Sequence, residues 1–294
     1  MKIVIASAGL GNMMFQYAMV LAYRNVGVKS ILFVSEANAH HNGYELETVF
    51  PLVKPYEDVS FLGGLYYKLL GQIRRVKLGK KRYFPHHILL FPFHRIHVKT
   101  AYQYCPELLQ NLNSNDYILG QFQSYKYFEK CRLSILEAFA FDETKVSEET
   151  KQMANRIKET NSVSIHVRRG DYMGVWFYEG LGSVCTKDYY NHSIEIINQK
   201  VTNPHFFIFS DDKEYIKNNM VFPNCTFVDF NNNRNSWQDL YLMSQCKHHI
   251  VANSSFSWWG AWLNPNDDKI VVAPKRWWST IENDDVVPPQ WIRV

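Results

Sequence analysis

Short apolar runs alternate with amphipathic stretches along most of the chain. The first run, Lys2–Ala6, is rich in β-branched residues and predicts a strand. It leads through Gly9 and Gly11 into apolar residues at helical spacing, and Ser30–Ser35 then predicts a second strand. Strand, helix and strand in this order are typical of a β-α-β unit, so the N-terminal part is predicted to build a parallel sheet.

The same alternation resumes near residue 150. Ser147 precedes two glutamates and predicts a helix N-cap, which places a domain boundary close by. Strands are predicted at Val163–Val167, Phe206–Phe209, Thr226–Phe230, His249–Ala252 and Lys269–Ala273, with helices at Tyr189–Ile197, Trp237–Ser244 and from Ser254 or Ser255. We therefore predict two βα domains, 1–150 and 151–294, and a closing tail around Trp291 that packs on a neighbouring surface.

The composition excludes several classes of protein. With 294 residues, 46% hydrophobic and 20% charged, the chain lies in the range of globular proteins and far from that of disordered ones. No run approaches the roughly 18 apolar residues of a membrane span, and Met1–Ile5 does not resemble a signal peptide, so we expect a cytoplasmic protein. Its five cysteines form no C-x-x-C pair, which favours free thiols over zinc or disulfides.

The charge is unevenly distributed. The net charge is only +4, yet residues 59–106 hold nine lysines and arginines and no acidic residue. Apolar residues at three- and four-residue steps from Leu62 to Val76 predict an amphipathic helix there. Two interpretations stay open: its apolar stripe packs on the domain core, or 62–99 contacts a membrane surface or an anionic glycolipid. The stretch lacks a nucleic-acid recognition motif, so we expect no nucleic acid partner.

Three segments combine residue types that carry chemistry, and each follows a predicted strand. The first is the loop from Gly9 to Asn12, where glycines allow close approach of a ligand and the next helix offers free N–H groups to an anion. Because position 14 is methionine, the loop is only part of a G-x-G-x-x-G motif. A tight structural turn and a ligand-binding loop are both open.

The second segment runs from His166 to Tyr172 and contains two arginines and an aspartate. Ligands of open α/β sheets bind at the carboxyl ends of strands, and the guanidinium fork suits phosphate oxygens. Successive strand residues point to opposite faces, so Arg168, on the same face as His166, is expected to meet the ligand. The alternative is a surface ion pair between arginine and Asp171.

The third segment comprises Asn253, Ser254, Ser255 and Phe256, at the start of a predicted helix. Its hydroxyl and backbone N–H groups can hold an anion at the positive end of the helix, or the polar residues can simply cap it. In the helix before it, Asp239 lies among apolar residues and either caps the helix or accepts hydrogen bonds from guanine N1 and N2. Phosphate-binding groups at two strand ends point to a nucleotide-bound substrate.

An acidic pair, Asp211 and Asp212, follows the strand at 206–209. The pair lacks the D-x-D spacing of a metal site, and acids at a helix N-terminus account for it more simply. We therefore predict no metal ligands in this sequence.

Six motifs in a fixed order give the chain a strong resemblance to a known family. They are GLGNMMFQYA from Gly9, HVRRGDY from His166, CTKDYYNHSIE from Cys185, FSDD from Phe209, NSSFSWWGAWLN from Asn253 and APKRWW from Ala273. Together they resemble the α-1,2-fucosyltransferases, glycosyltransferase family 11, which use GDP-fucose. Met13 stands where the family usually has glutamine, and Ser7-Ala8 where a glycine is more usual.

The resemblance implies an α/β, GT-B-like fold with two Rossmann-like domains facing a cleft, and neither a metal nor another cofactor. The N-terminal domain would face the acceptor, and the C-terminal domain would bind GDP-fucose. The implied donor-binding residues are Arg168 for the diphosphate, His166 for the nucleoside or ribose, Asp239 for guanine, Ser254 and Ser255 for the phosphates, their neighbours Asn253 and Phe256, and Asn12 from the other domain.

The implied reaction is inverting transfer of L-fucose from GDP-β-L-fucose to the 2-hydroxyl of a terminal β-galactoside, free or lipid-linked. Arg168 and the helix at Ser254 would stabilise the departing diphosphate. Asp171 would act as the base or only orient Arg168, and Glu179, within the loop 173–182, is a further candidate base. A transferase for another GDP-sugar and a non-catalytic nucleotide-sugar- or glycan-binding protein are the alternatives.

Overall fold

The computed structural model describes residues 1–34, 42–72, 93–282 and 285–294. The chain divides into two compact units, Met1–Phe141 and Asp142–Val294, and each contains its own parallel sheet. The predicted parallel α/β architecture is therefore confirmed for both units. The cleft between two domains stays a prediction.

The N-terminal unit has strands in the order β2-β1-β4-β3. The strands are β1 (Lys2–Ile5), β2 (Ser30–Phe33), β3 (His94–His97) and β4 (Asp116–Leu119). The helices are α1 (Leu10–Asn25), α2 (Leu46–Val49), α3 (Phe61–Gln72), α4 (Glu107–Gln110) and α5 (Arg132–Ala138). All residues of β1 and β2 are buried, as in a parallel sheet that is covered on both faces.

A buried ion pair fastens β1 to β4 at the start of both strands. Lys2 pairs with Asp116, and its ammonium also donates to the Asn111 carbonyl at 2.6 Å and to Ser114 Oγ at 3.1 Å. The partners of this buried cation are therefore hydrogen-bonded oxygens, which offset the cost of removing its charge from water.

The C-terminal unit has strands in the order β10-β9-β8-β5-β6-β7. The strands are β5 (Asn161–Val167), β6 (Pro204–Ser210), β7 (Cys225–Phe227), β8 (His248–Ile250), β9 (Val271–Ala273) and β10 (Ile292–Arg293). The helices are α6 (Glu148–Glu159), α7 (Lys187–Lys200), α8 (Lys213–Asn219), α9 (Trp237–Gln245) and α10 (Ser255–Leu263). Ser147 caps α6 by accepting from the Thr150 amide at 3.2 Å, which confirms the predicted N-cap.

The end of the chain differs from the prediction of a tail. Ile292 and Arg293 form β10, which pairs in parallel with β9 at Val272 and Ala273. Trp291, just before it, is buried against Trp258 with 5.6 Å between ring centroids. Two residues are too few to show an alternating pattern, so the sequence did not reveal this strand.

The structure of α3 also disagrees with one of the two interpretations of its apolar stripe, namely that the stripe packs on the domain core. Leu70 belongs to the core cluster around Ile3 and Ile31, but Phe61 is 86% exposed and Leu62 74%. Leu65, Tyr66 and Leu69 are exposed as well. Only one edge of α3 therefore packs on the core. The predicted positions Ile73 and Val76 lie outside the described residues.

A buried histidine links β5, β8 and the end of α10. His249 is fully buried, with Nδ1 2.8 Å from Ser164 Oγ, and Nε2 accepts from the Asn264 amide at 2.7 Å. Both ring nitrogens are thus used by a neutral imidazole. Burial, together with the charge of Lys269, holds the pKa of His249 well below its usual range.

We expect this histidine to make folding sensitive to acid. Because His249 stays neutral in the folded state, only the unfolded chain gains a proton as the pH falls below about 6.5, and stability is lost below that value. The free energy of unfolding should fall by up to about 1.4 kcal/mol per pH unit more in wild type than in His249→Gln. Urea titrations from pH 7 to pH 4 measure this difference, with the exposed His192→Gln as control. Equal slopes in all three proteins would contradict the prediction.

Candidate active site

The candidate site lies at the point in the sheet of the C-terminal unit where the order of strand addition reverses. From β5 the chain continues to β6 and β7 on one side, whereas β8, β9 and β10 lie on the other side. The carboxyl ends of β5 and β8 therefore border an open crevice, the usual ligand position in such sheets. The second and third predicted segments both begin at this edge, after Val167 and after Ile250.

His166 is buried at the end of β5. Its carbonyl accepts from the Tyr190 hydroxyl at 3.0 Å, and its ring lies against that of Phe256 with centroids 6.0 Å apart. Its Nδ1 is buried and has no hydrogen-bond partner among the described residues. Burial lowers the pKa of His166 to about 3, with a further contribution from Arg168. The site therefore holds a neutral imidazole with a polar atom left over for a ligand.

Arg168 is held between two carboxylates. One guanidinium nitrogen lies 2.7 Å from Asp171 Oδ1 and another lies 3.0 Å from Asp211 Oδ2. The guanidinium also lies over the Tyr172 ring, 5.5 Å from its centroid. The predicted ion pair with Asp171 is thus present, and it orients the arginine at the strand end.

Arg169, which like Arg168 lies beyond the end of β5, contacts a different set of residues. Its Nε lies 3.1 Å from Asp212 Oδ2, and its guanidinium stacks 3.2 Å from the centroid of the Tyr215 ring. The loop after β5 passes close to Asp211. A Cβ at Gly170 would lie only 2.4 Å from a carboxylate oxygen of Asp211. A glycine is therefore required where this loop passes the acidic pair.

Asp211 and Asp212 perform different tasks. Asp212 accepts from the Tyr215 amide at 3.2 Å and caps α8, as the sequence indicates. Asp211 instead accepts from the Arg169 amide at 2.9 Å and pairs with Arg168. The sequence analysis missed Asp211 as part of the site. The register of β5 with β6, which sets Val167 opposite Ser210, is the signal that identifies it.

Asn253 ties together the loops around the site. Its side-chain amide donates to the Leu181 carbonyl at 3.1 Å and to the Trp277 carbonyl at 3.2 Å. Its own carbonyl accepts from the Tyr172 hydroxyl at 3.0 Å. Asn253 therefore fixes the loop after β5 to the loop after β9, and its amide protons are engaged within the protein.

The helix α10 presents its N-terminus at the end of this segment. Ser254 is the N-cap residue, and in the described chain its hydroxyl makes no capping hydrogen bond with the first turn. Capping alone therefore does not account for the serines. Backbone N–H groups of the first turn, with Ser255 as the first helical residue, are placed to meet an anion.

Asp239 lies in the first turn of α9, the helix that packs against α10. It is buried, and Oδ1 accepts from the Asn231 amide at 2.9 Å. Burial raises the pKa of Asp239 to about 7, which the hydrogen bond from Asn231 and the charge of Lys213 only partly oppose. This buried carboxyl has capacity for further hydrogen bonds, as recognition of a base edge requires.

The loop 173–182 is apolar and exposed. Val175 and Trp176 are each 91% exposed, and Phe177 and Tyr178 are about half exposed. These aromatic side chains are therefore not part of the core. Farther along the loop, the carbonyl of Glu179 accepts from Ser279 Oγ at 2.6 Å, which anchors the loop at its far end.

Asn12 belongs to the N-terminal unit. It lies in the first turn of α1, and its Oδ1 accepts from the Gln123 amide at 2.6 Å. Through Tyr172, the structure joins Arg168, Asp171 and Asn253 into one contact network. His166 packs against Phe256, and the charge of Arg168 helps to lower the pKa of His166. Asp239 lies on the adjacent helix.

Two bacterial glycosyltransferases are similar to the chain over nearly its whole length, and a human one over less than half of it. An α-1,2-colitosyltransferase of Escherichia coli is 31% identical over 306 residues, covering 100% of this chain and 99% of the relative. The O-antigen biosynthesis glycosyltransferase WbnK of Escherichia coli is 28% identical, with 98% of each chain covered. Human galactoside α-(1,2)-fucosyltransferase 1 is 26% identical over 138 residues, covering 45% of this chain and 38% of the relative.

Solved structures give more distant likenesses. Fucosyltransferase NodZ from Bradyrhizobium matches with a TM-score of 0.48 at 12% identity, covering 88% of this chain and 91% of its own. ADP-heptose heptosyltransferase II of Escherichia coli matches with a TM-score of 0.46 at 14% identity, covering 100% and 89%.

The family model describes nearly every residue. The model of glycosyl transferase family 11 matches residues 2–294, which include all the segments described above. The resemblance noted in the sequence is thereby confirmed, and the chain belongs to glycosyl transferase family 11.

Proposed function

We propose that this glycosyltransferase moves L-fucose from GDP-β-L-fucose to the 2-hydroxyl of a terminal β-galactoside, with inversion at the anomeric carbon. The observation that carries the proposal is Arg168, oriented by Asp171 and Asp211 at the carboxyl end of β5. Beside it lies a buried neutral His166 with an unused ring nitrogen. The names of the relatives, which include fucosyl and colitosyl transfer with α-1,2 linkage, support this chemistry.

In this reaction the bond between C1 of the sugar and the β-phosphate oxygen breaks, and its electron pair leaves with GDP. The acceptor 2-oxygen forms the new bond to C1 from the opposite face and releases its proton. Negative charge develops on the diphosphate, so Arg168 and the N-terminus of α10 stabilise the transition state more than the ground state. Arg168 and the helix N-terminus thus take the place of a metal cation at the diphosphate, and we expect transfer to persist in EDTA.

Asp171 serves this reaction as a positioning residue for Arg168. Its Oδ1 is hydrogen-bonded to the guanidinium at 2.7 Å, so its charge is used to orient the arginine. A loose, oxocarbenium-like transition state requires little proton removal before the glycosidic bond breaks. The acceptor proton then passes to Asp171 or to water late in the reaction.

The exposed aromatic loop supplies a surface for the acceptor. Trp176 and Phe177 are exposed residues of the loop 173–182. This loop comes directly after Tyr172, whose ring contacts Arg168. Exposed aromatic faces suit the apolar faces of sugar rings, and they would bring a galactoside close to the donor. The acceptor is an oligosaccharide that ends in β-galactose, free or lipid-linked.

GDP-colitose and GDP-mannose are alternatives to GDP-fucose as the donor, and one experiment distinguishes the three. Colitose is L-fucose without the 3-hydroxyl, so GDP-colitose fits any site that has space for fucose but lacks a partner for that hydroxyl. A site that hydrogen-bonds the 3-hydroxyl rejects the deoxy sugar strongly, because its own polar group is then left unpaired. GDP-mannose carries an additional 6-hydroxyl and differs in configuration at C3 and C5, so it tests the shape of the sugar pocket as a whole.

The first prediction concerns the reaction itself. Wild type with EDTA should convert GDP-fucose and a β-galactoside to an α-1,2-linked product, identified by NMR, and faster than with GDP-colitose or GDP-mannose. Arg168→Ala should lower kcat by about 100- to 1000-fold, because a charged donor to the leaving group is lost. The exposed Arg156→Ala serves as control.

Three results would contradict this proposal. Binding of GDP-fucose without transfer to any glycan would favour a binding protein, and a preference for another donor would reassign the sugar. Full activity of Arg168→Ala would remove the arginine from the mechanism.

The second prediction concerns guanine recognition by Asp239. Guanine N1 and N2 donate hydrogen bonds, so the nucleotide prefers the carboxylate form, which predominates above the pKa of about 7. We expect the Kd for GDP to be about tenfold weaker at pH 6 than at pH 8. Asp239→Asn should bind GDP weakly and without this pH dependence.

Calorimetry with GDP and inosine diphosphate, which lacks the N2 amine, measures the effect. The difference between the two nucleotides should disappear in Asp239→Asn. Identical affinities of wild type for both nucleotides at both pH values would exclude Asp239 from guanine recognition.

The third prediction concerns the exposed face of α3. We propose that Phe61, Leu62, Leu65 and Leu69 contact an anionic bilayer, where a lipid-linked acceptor would lie. The positive charge of residues 59–106 and the exposed Lys68 beside this face support a negatively charged partner over an apolar protein surface. Within the described ranges, no helix is both long and apolar enough to cross a membrane.

Vesicle sedimentation tests this contact. Wild type should bind vesicles that contain phosphatidylglycerol but not pure phosphatidylcholine, and Leu65→Ser with Leu69→Ser should abolish binding. Leu133→Ser, an exposed leucine on α5, is the control. The proposal would be refuted by equal binding of wild type to both kinds of vesicle. It would also be refuted by binding of the double variant that equals wild type.

A further inference from the structure

We propose that the N-terminal unit contains a binding site for a sugar hydroxyl at the carboxyl ends of β1 and β4, with Gln121 as the residue that contacts it. The inference rests on the proposed transfer of a sugar. It assigns a ligand to a part of the molecule whose residues 120–124 carried no prediction.

The position of this site follows from the strand order. The chain leaves β1 toward β2 on one side, whereas β4 and β3 lie on the other side. The loops after β1 and after β4 therefore border a crevice of the same kind as that between β5 and β8. These loops comprise residues 6–9 and residues 120–124.

Side-chain amides connect the two loops. Gln16 is fully buried; its Oε1 accepts from the Ser7 amide at 2.8 Å, and its Nε2 donates to the Gly120 carbonyl at 3.1 Å. Gln123 donates from its Nε2 to Asn12 Oδ1 at 2.6 Å. Buried amide groups thus hold the two loops beside the crevice in a geometry fixed by their own hydrogen bonds.

The backbone on both sides of the crevice is strained. Ala8 after β1 has φ 65°, and Phe122 after β4 has φ 52° although its side chain is buried. The left-handed conformation is unfavourable for a non-glycine residue, because Cβ then crowds the backbone. Gly120 permits the turn, because a Cβ there would lie 2.9 Å from the Phe122 ring and 3.0 Å from Val98. Strain of this kind persists where the surrounding structure imposes it, which is common at ligand sites.

Gln121 lies between the strained Phe122 and the required Gly120. Its Oε1 is buried, and among the described residues it has no hydrogen-bond partner. A buried acceptor without a partner is destabilising, because it has lost its hydrogen bonds to water and gained none. Gln121 as a whole is only partly buried, so a rotation of its side chain would bring the amide to a ligand in the crevice, which would supply the missing donor.

The ligand class follows from the chemistry of the lining. The groups bonded within this cluster are amides, a hydroxyl and backbone atoms of Ser7, Asn12, Gln16, Gly120 and Gln123. None of these side chains is charged, in contrast to Arg168, Asp171 and Asp211 in the C-terminal unit. A neutral group that donates and accepts hydrogen bonds fits such a lining, and in a glycosyltransferase that group is a sugar hydroxyl.

Substitution of Gln121 by methionine tests the site. The thioether keeps the length of the side chain and removes the amide, while Gln110→Met at the exposed end of α4 is the matched control. If Gln121 serves a ligand, thermal stability of Gln121→Met should be equal to or higher than that of wild type, because no internal hydrogen bond is lost.

Kinetics distinguish the two possible sources of the hydroxyl. An acceptor hydroxyl predicts a KM for the galactoside raised about five- to tenfold in Gln121→Met, with the hydrolysis of GDP-fucose without acceptor unchanged. A hydroxyl of the donor sugar predicts slower hydrolysis and a raised KM for GDP-fucose, with unchanged affinity for GDP. Either result supports the site.

Two outcomes would overturn the inference. One is wild-type kinetics of Gln121→Met toward both substrates, and the other is a marked loss of thermal stability, which would assign Gln121 a purely structural role. If wild type transfers no sugar, the proposed function fails separately. Saturation-transfer NMR with free methyl β-galactoside and free L-fucose then decides, because the site requires a sugar signal in wild type that is lost in Gln121→Met.

Discussion

The parallel pairing of β5 with β6 on one side and β8 on the other is the constraint on which the candidate active site depends. Pairing of Val167 with Ser210 sets the carboxyl end of β5 beside Asp211, and pairing of Ile165 with Ile250 sets it beside the segment that begins at Val251. Three chain segments, separated by about 40 residues each, are thereby brought to one edge. The ion pairs of Arg168 and the hydrogen bonds of Asn253 are consequences of this arrangement.

Burial at this edge controls the charge of the site. Removal from water favours the neutral form of both His166 and Asp239, so it lowers one pKa and raises the other. Arg168 keeps its charge because two carboxylates face it. The diphosphate of the proposed donor would meet the preorganised guanidinium of Arg168 there, whereas its base and ribose would meet uncharged or readily deprotonated groups.

The two units use the same topology for different chemistry. In both units, the chain connections from two neighbouring parallel strands run to opposite sides. This leaves a crevice at the carboxyl ends of those strands. The C-terminal crevice is lined by an arginine, carboxylates and a helix N-terminus, which suit a charged donor. The N-terminal crevice is bordered by loops that the uncharged amides of Gln16 and Gln123 hold together, and such neutral surroundings suit hydroxyl groups. This division agrees with a donor side and an acceptor side, as expected for a transferase that joins a nucleotide sugar to a glycan.

The sequence by itself determined the two parallel α/β units, most of their strands and helices, and the identity of the segments around His166, Arg168 and Asn253. These features depend on local periodicity and on residue type, which are visible along the chain. Only the tertiary structure revealed Asp211 as the partner of Arg168, the exposed face of α3, the strand β10 and the unsatisfied amide of Gln121. Each of these depends on strand register or on burial, which are set by contacts between distant segments and leave no periodic pattern in the sequence.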